Sequence, residues 1–195
     1  MRTASIERST KETRIRLELA LDRPEPVDIK VPGGFFRHML ELFAFHGGFS
    51  LACDVTGDTD VDMHHTVEDT AICLGQAFKI ALGDKKGIAR YGLFSVPMDE
   101  ARAVVHLDIS GRPFVRMDGK ELVGTCGSFD AELVAEFLRA FAFNAGITLH
   151  VSVDCGENLH HMIEAIFKAL ARALRIAIDQ DGRGILPSTK GLIDC

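Results

Sequence analysis

"FAFHGGFSLACDV", residues 43–55, returns near the other end of the chain as "FAFNAGITLHVSV", residues 141–153. Each string runs from a periodic apolar stretch, through a break carrying glycine, into alternating apolar residues. That order reads as helix, cap and strand. A chain that spells the same junction twice is built from two copies of one unit. Two copies at so long a period exclude a solenoid, which stacks several short repeats. Internal duplication is the reading.

The match extends outward. "KETRIRLELALDRP" (11–24) resembles "DEARAVVHLDISGRP" (99–113) in pattern. Ile15, Leu17, Leu19 and Leu21 alternate with polar residues, as do Ala103, Val105, Leu107 and Ile109, which is strand period. Phe36, Leu40 and Phe43 follow the breaker "PGG" at helical steps, and Leu133, Phe137 and Phe141 repeat the stripe. A closing helix is predicted in each half from Val67, Ala71, Leu74 and Phe78, and from Ile163, Phe167, Leu170 and Leu174. The expected fold is α+β: an internally duplicated sandwich of two halves, with mainly antiparallel sheets and helices packed between them or on one face. The expected halves are residues 1–92 and 93–195, together one compact domain with a single function.

Composition narrows the class. Apolar residues make up 47% and charged residues 26% of the 195 residues, an ordinary globular balance. A net charge of -6 argues against a non-specific nucleic-acid binder, which needs a basic face. The cysteines at 53, 73, 126, 155 and 195 form no C-x-x-C pair, which points to reduced thiols and a cytoplasmic location. The start of the chain lacks the apolar core of a signal peptide, and no apolar run nears the roughly 18 residues of a membrane span.

Chemistry concentrates in two strings, "HHTVED" (64–69) and "HHMIEA" (160–165). On a helix, His64 and Glu68 share a face, as do His160 and Glu164, because residues four apart point nearly the same way. An imidazole and a carboxylate so placed chelate a metal. His65 and His161 are each turned by roughly 100° and point toward a different ion. His38 and Glu136 occupy equivalent places on the first helix of each half and supply third arms. The candidate donors are therefore His38, His64, His65, Glu68, Glu136, His160, His161 and Glu164. Shared between two ions they give about four each, leaving open positions, and nitrogen-plus-carboxylate donors suit manganese, iron, cobalt or zinc. A site shared between subunits is favoured. A lone buried histidine is more often a hydrogen-bonded core group; duplication in matched places tips the balance toward metal.

Anion handles follow. Ser188, Thr189 and Lys190 sit beside glycine and proline in "GRGILPSTKGLIDC", a plausible phosphate grip. Lys168 continues the row of His160 and Glu164. Arg90 in "GIARYG" and Arg112 in "SGRPF" can fix an anion bidentately. Glu12 in "TKETRI" is a strand-edge carboxylate or a general base. His46, His106 and His150 have structural readings, and of these His46 has the best chance of facing the site.

Together the strings "RTASIERSTKETRI", "HMLELFAFHGGFSL", "DTDVDMHHTVEDTAICLGQA", "GIARYG", "PMDEA", "DISGRP", "ELVAEFLRAFAFNAGITLHV", "GENLHHMIEAIFKALARALR" and "PSTKG" resemble, in this order and over essentially the whole chain, the imidazoleglycerol-phosphate dehydratase family. The resemblance implies a carbon-oxygen lyase of histidine biosynthesis that removes water from imidazole glycerol phosphate to give imidazole acetol phosphate. It implies a homo-oligomer of 24 subunits whose active sites lie between subunits, each with two Mn2+ ions, and a metal-stabilised imidazolate on the reaction path. His38, His64, His65, Glu68, His160, His161 and Glu164 match the family's metal ligands, and Glu136 stands where other members carry histidine. Glu12 matches a substrate-contacting glutamate and is the candidate for proton transfer. His38, His46, Arg90, Arg112, Lys168, Ser188, Thr189 and Lys190 are the implied substrate contacts. Arg37 stands where the family carries aspartate, and the connection "DRPEPVDIKVPGGFF" is shortened. Two other readings are a two-metal phosphate-ester hydrolase and a non-catalytic oligomer stapled by metal.

Overall fold

A computed structural model of the chain describes residues 1–182 and 184–193; Cys195, counted above among the thiols, lies outside them. The first half runs β1 (Thr3–Ser9), β2 (Thr13–Ala20), β3 (Val27–Lys30), α1 (Gly34–Gly47), β4 (Ser50–Gly57) and α2 (His64–Leu82). The second runs β5 (Tyr91–Met98), β6 (Ala101–Asp108), β7 (Phe114–Gly119), a short hairpin β8 (Thr125–Cys126) and β9 (Phe129–Asp130), then α3 (Leu133–Ala145), β10 (Thr148–Cys155) and α4 (Leu159–Ile178). The two four-stranded sheets have matching orders, β1-β2-β4-β3 and β5-β6-β10-β7. In each sheet the first two pairings are antiparallel and the last, β3 with β4 or β7 with β10, is parallel. A parallel pair needs a crossover, and α1 and α3 supply it.

The expected α+β sandwich of mainly antiparallel sheets and packed helices is what forms. Leu21 and Ile109, expected as strand residues, lie one position beyond the strand ends and are buried. The expected division at 92/93 falls inside β5; the elements of the two halves part in the connection at 83–90.

The helices form a layer between the sheets. α2 lies on β1 and β2, α4 lies on β5 and β6, and across the middle α1 packs on α4 and α2 on α3. Each helix of one half thus has its main helical neighbour in the other half, and the apolar core is continuous. Repeat-equivalent Phe43 and Phe141 meet with ring centroids 6.1 Å apart, and Phe78 stands edge-on to Phe141 at 5.4 Å. Full burial of such a side chain is worth about 1.5–3 kcal/mol, so the interleaving carries much of the stability. The junction strings that open the sequence behave alike: Gly48 and Gly146 both end their helices in the left-handed region (φ 65 and 70). Phe49 N–H donates to Ala44 O and Ile147 N–H to Ala142 O, each at 3.0 Å, the helix-closing bond of a Schellman cap.

The outer faces differ. Across the first sheet Glu7, Arg16, Asp54 and Lys30 stand in one register row of alternating charge. The second sheet carries Leu93, His106, His150 and Arg116 in one row and exposes Tyr91 and Phe114 beside it. Among the described residues, no helix is long and apolar enough to cross a membrane.

Candidate metal centre and anion pocket

The start of α4 meets the side of α1. Ile163, Phe167, Leu170 and Leu174 face the core and are buried, which turns His160, Glu164 and Lys168 into a row at the helix edge. On α1, Phe36, Leu40 and Phe43 are buried likewise and present His38 to that row. His38 Nε2 lies 3.2 Å and His160 Nε2 3.1 Å from the same Glu164 Oε2. Lys168 Nζ sits 2.5 Å from Glu164 Oε1. Burial pushes the Glu164 carboxyl up, but Lys168, His160 and His38 together outweigh it and hold the group below its ordinary value. Glu164 is therefore an ionised carboxylate at 5% exposure.

Among the described residues, His38, His160 and Glu164 are the group of three or more potential ligands whose donor atoms all lie within 4.8 Å of one another. Two imidazole nitrogens converging on one carboxylate oxygen suit a divalent cation: the rings offer lone pairs and the carboxylate a negative charge. The donor set fits the expected metal.

The other expected donors are held elsewhere. His64 and Glu68 lie on the partly exposed edge of α2, and Asp62 accepts the His64 backbone N–H at 2.6 Å. His65 Nδ1 lies 2.9 Å from Asp58 Oδ2, and its Nε2 lies 3.9 Å from Glu12 Oε1. His161 Nδ1 lies 2.7 Å from Glu100 Oε2, and its Nε2 lies 3.7 Å from Asp99 Oδ2. The Asp58 hydrogen bond raises the His65 pKa, and the Glu100 hydrogen bond raises that of His161. Glu136 on α3 is engaged by Arg139 Nη1 at 2.7 Å. Asn158 caps α4, its side chain accepting the His160 backbone N–H at 2.9 Å and the His161 N–H at 3.4 Å. A single chain thus brings three of the eight expected donors together.

The residues expected to hold an anion come together, with one exception. Arg90, Arg112, Ser188, Thr189 and Lys190 line a cavity of about 310 Å³ with Tyr91 and Ser110. Arg90 has a left-handed backbone (φ 74). It forks onto Asp108, Nε to Oδ1 at 2.7 Å and Nη2 to Oδ2 at 3.2 Å, while Nη1 donates to Pro187 O at 2.7 Å. That last bond ties down the segment carrying Ser188 and Lys190. Lys168 is the exception: it stands beside Glu164, outside the residues lining this cavity. His46 is half-buried at the end of α1, its pKa pushed down by burial and then by Lys168 and Arg172. A larger recess of about 640 Å³ on the first sheet is lined by Arg8, Arg14 and Arg16. Arg8 is paired with Asp69 and Arg16 with Glu7, so it offers less free positive charge than its composition suggests.

Three carboxylates escaped the sequence reading: Asp58, Glu100 and Asp108. Glu100 stands in "PMDEA" and Asp108 in "DISGRP", and the outward phase of β6 at Asp108 was the available signal.

A sequence model of the family described as imidazoleglycerol-phosphate dehydratase matches residues 32–174. An imidazoleglycerol-phosphate dehydratase of Clostridium botulinum is 56% identical over 192 residues, 97% of each chain. One of Methylorubrum populi is 54% identical over 193 residues, 98% of this chain and 99% of the other. Among solved structures, the Staphylococcus aureus imidazoleglycerol-phosphate dehydratase superimposes with a TM-score of 0.83 at 41% identity, covering 91% of this chain and 98% of that one. The Pyrococcus furiosus protein does so with a TM-score of 0.83 at 35% identity, covering 96% and 99%.

Proposed function

Because this chain belongs to the imidazoleglycerol-phosphate dehydratase family, a family of hydro-lyases of histidine biosynthesis, we propose that it removes water from imidazole glycerol phosphate to form imidazole acetol phosphate, with Mn2+ as its metal. The observation that carries this reading is the convergence of His38, His160 and Glu164, in a chain that also builds a cavity of arginine, lysine and hydroxyl groups suited to a phosphate. The residues divide the work. Arg90, Arg112, Ser188, Thr189 and Lys190 hold the phosphate and orient the carbon chain. His38, His160 and Glu164 hold one cation. His64, His65, Glu68, Glu136 and His161 complete the ligand sets from neighbouring copies in a 24-subunit cytoplasmic assembly. Bound there, two divalent cations supply positive charge against the imidazole nitrogens, which lowers the cost of removing the ring proton.

The elimination takes hydroxide from the carbon attached to the ring and a proton from the next carbon. Glu12 receives that proton, a role supported by its carboxylate being exposed in the β1–β2 turn, 3.9 Å from His65 Nε2. The enol so formed gains a proton at the ring-attached carbon and becomes the ketone. Lys168 keeps Glu164 charged, and His46 lines the approach along α1.

An assay on imidazole glycerol phosphate, before and after chelation and then with Mn2+ restored, tests this. Activity is expected to vanish and return. Turnover undiminished by complete metal removal overturns the metal assignment, and release of inorganic phosphate marks ester hydrolysis instead.

A further inference from the structure

We propose that Asp58 and Glu100 are positioning residues that keep the proton of His65 and of His161 on Nδ1, so that Nε2 is the nitrogen each ring offers to a cation. The proposal rests on the metal reading above. An ionised carboxylate only accepts hydrogen bonds, so a ring whose Nδ1 sits 2.9 Å from Asp58 or 2.7 Å from Glu100 donates from that nitrogen. In the neutral ring the other nitrogen is then the one with a lone pair. The same nitrogen is engaged in both halves, and each Nε2 stands beyond hydrogen-bonding distance of the carboxylate beside it, Glu12 Oε1 at 3.9 Å and Asp99 Oδ2 at 3.7 Å.

The two anchors come from different elements, which ties this inference to the duplication. Glu12 and Glu100 occupy one place in the repeat, the last turn residue before β2 and before β6. Glu100 is fully engaged: Oε1 accepts the backbone N–H of Glu157 at 3.0 Å and of Asn158 at 2.7 Å, and Oε2 holds His161. It fixes the ring to the very segment that caps α4. In the first half Asp58, at the end of β4, holds the ring instead. Its backbone N–H donates to Glu12 O at 3.0 Å, which joins anchor and turn. Glu12 is thereby released from the role its counterpart performs, and its carboxylate accepts no hydrogen bond among the described residues. Duplication supplied two equivalent glutamates; one became an anchor and the other stayed free for substrate.

Asp58→Asn and Glu100→Gln preserve size and test the claim. In Glu100→Gln the amide oxygen keeps the Glu157 and Asn158 N–H groups, while its NH2 donates to Nδ1 and drives the ring proton to Nε2. Ring 15N chemical shifts are read in the metal-free full-length chain, and Mn2+ affinity by competition with a chelator. In the wild type both rings are expected to carry the proton on Nδ1. In each variant the facing ring alone moves to the Nε2–H form, with the other ring as internal control, and Mn2+ binding weakens on the order of 10–100-fold. Glu100→Asp and Asp58→Glu restore part of the affinity. Rings on Nε2–H in the wild type, unchanged rings in both variants, or unchanged Mn2+ affinity despite a moved proton each overturn the proposal. A wild type with Nδ1–H rings and no Mn2+ binding upholds the ring assignment and overturns the metal reading beneath it.

Discussion

Replacing Glu12 by glutamine keeps the side chain's size and removes its capacity to take a proton. The expected outcome is a fall in kcat on the order of 10²–10⁴, with KM and Mn2+ binding nearly unchanged, read by steady-state kinetics and chelator competition. A second residue-level prediction concerns alkali. Burial pushes the Cys53 thiol to about 12 and the Cys73 thiol to about 11, from an ordinary 9.0. Both folded values are raised, so their contribution to stability is fully present below about pH 9 and is lost as the pH climbs toward 11 and 12. The urea midpoint is expected to fall between about pH 8.5 and pH 10.5, and to fall less in the Cys53→Ala/Cys73→Ala variant. The contact between His160 and Glu164 was legible because helical spacing alone puts His160, Glu164 and Lys168 in a row. Asp58, Glu100 and Asp108 were not. Carboxylates are common on turns and strand ends, and only the folded chain decides which ring or guanidinium each one meets.

Gly75 of α2 shows how tightly the elements fit. A Cβ there would stand 2.5 Å from Phe141 O and 2.8 Å from Asn144 Cβ on α3, a clash with backbone that cannot turn aside. Gly75→Ala is expected to lower stability by about 1–3 kcal/mol despite the better helix propensity of alanine, measured by chemical denaturation. The four helices and the strands β2, β4, β6 and β10 could be read from periodicity, because each presents one buried and one exposed face over several residues. The edge strands could not. β3 has four residues, and β5 contains Pro97, which argues against a central strand. β5 is an edge strand in the sheet order, where proline's missing N–H need have no neighbour. The β8–β9 hairpin, with two residues in each strand, leaves no periodic trace.

At the scale of the molecule, α1 leans on α4 and α2 on α3, so each half completes the other. A fragment of residues 1–90 is expected to show no cooperative thermal transition by itself, and mixing it with 91–195 is expected to restore one, followed by circular dichroism. The duplication was legible in the matching junction strings. The spatial exchange of helical partners was not, since both packings bury the same stripes. The exchange also bears on how the chain is made. A ribosome delivers the first sheet and its helices before their counterparts exist, so the slot that Phe141 fills beside Phe43 and Phe78 stands open in the nascent polypeptide. Until α3 emerges, that bare aromatic surface is a handle for a chaperone or a seed for aggregation, and translation speed through the later codons sets how long the exposure lasts.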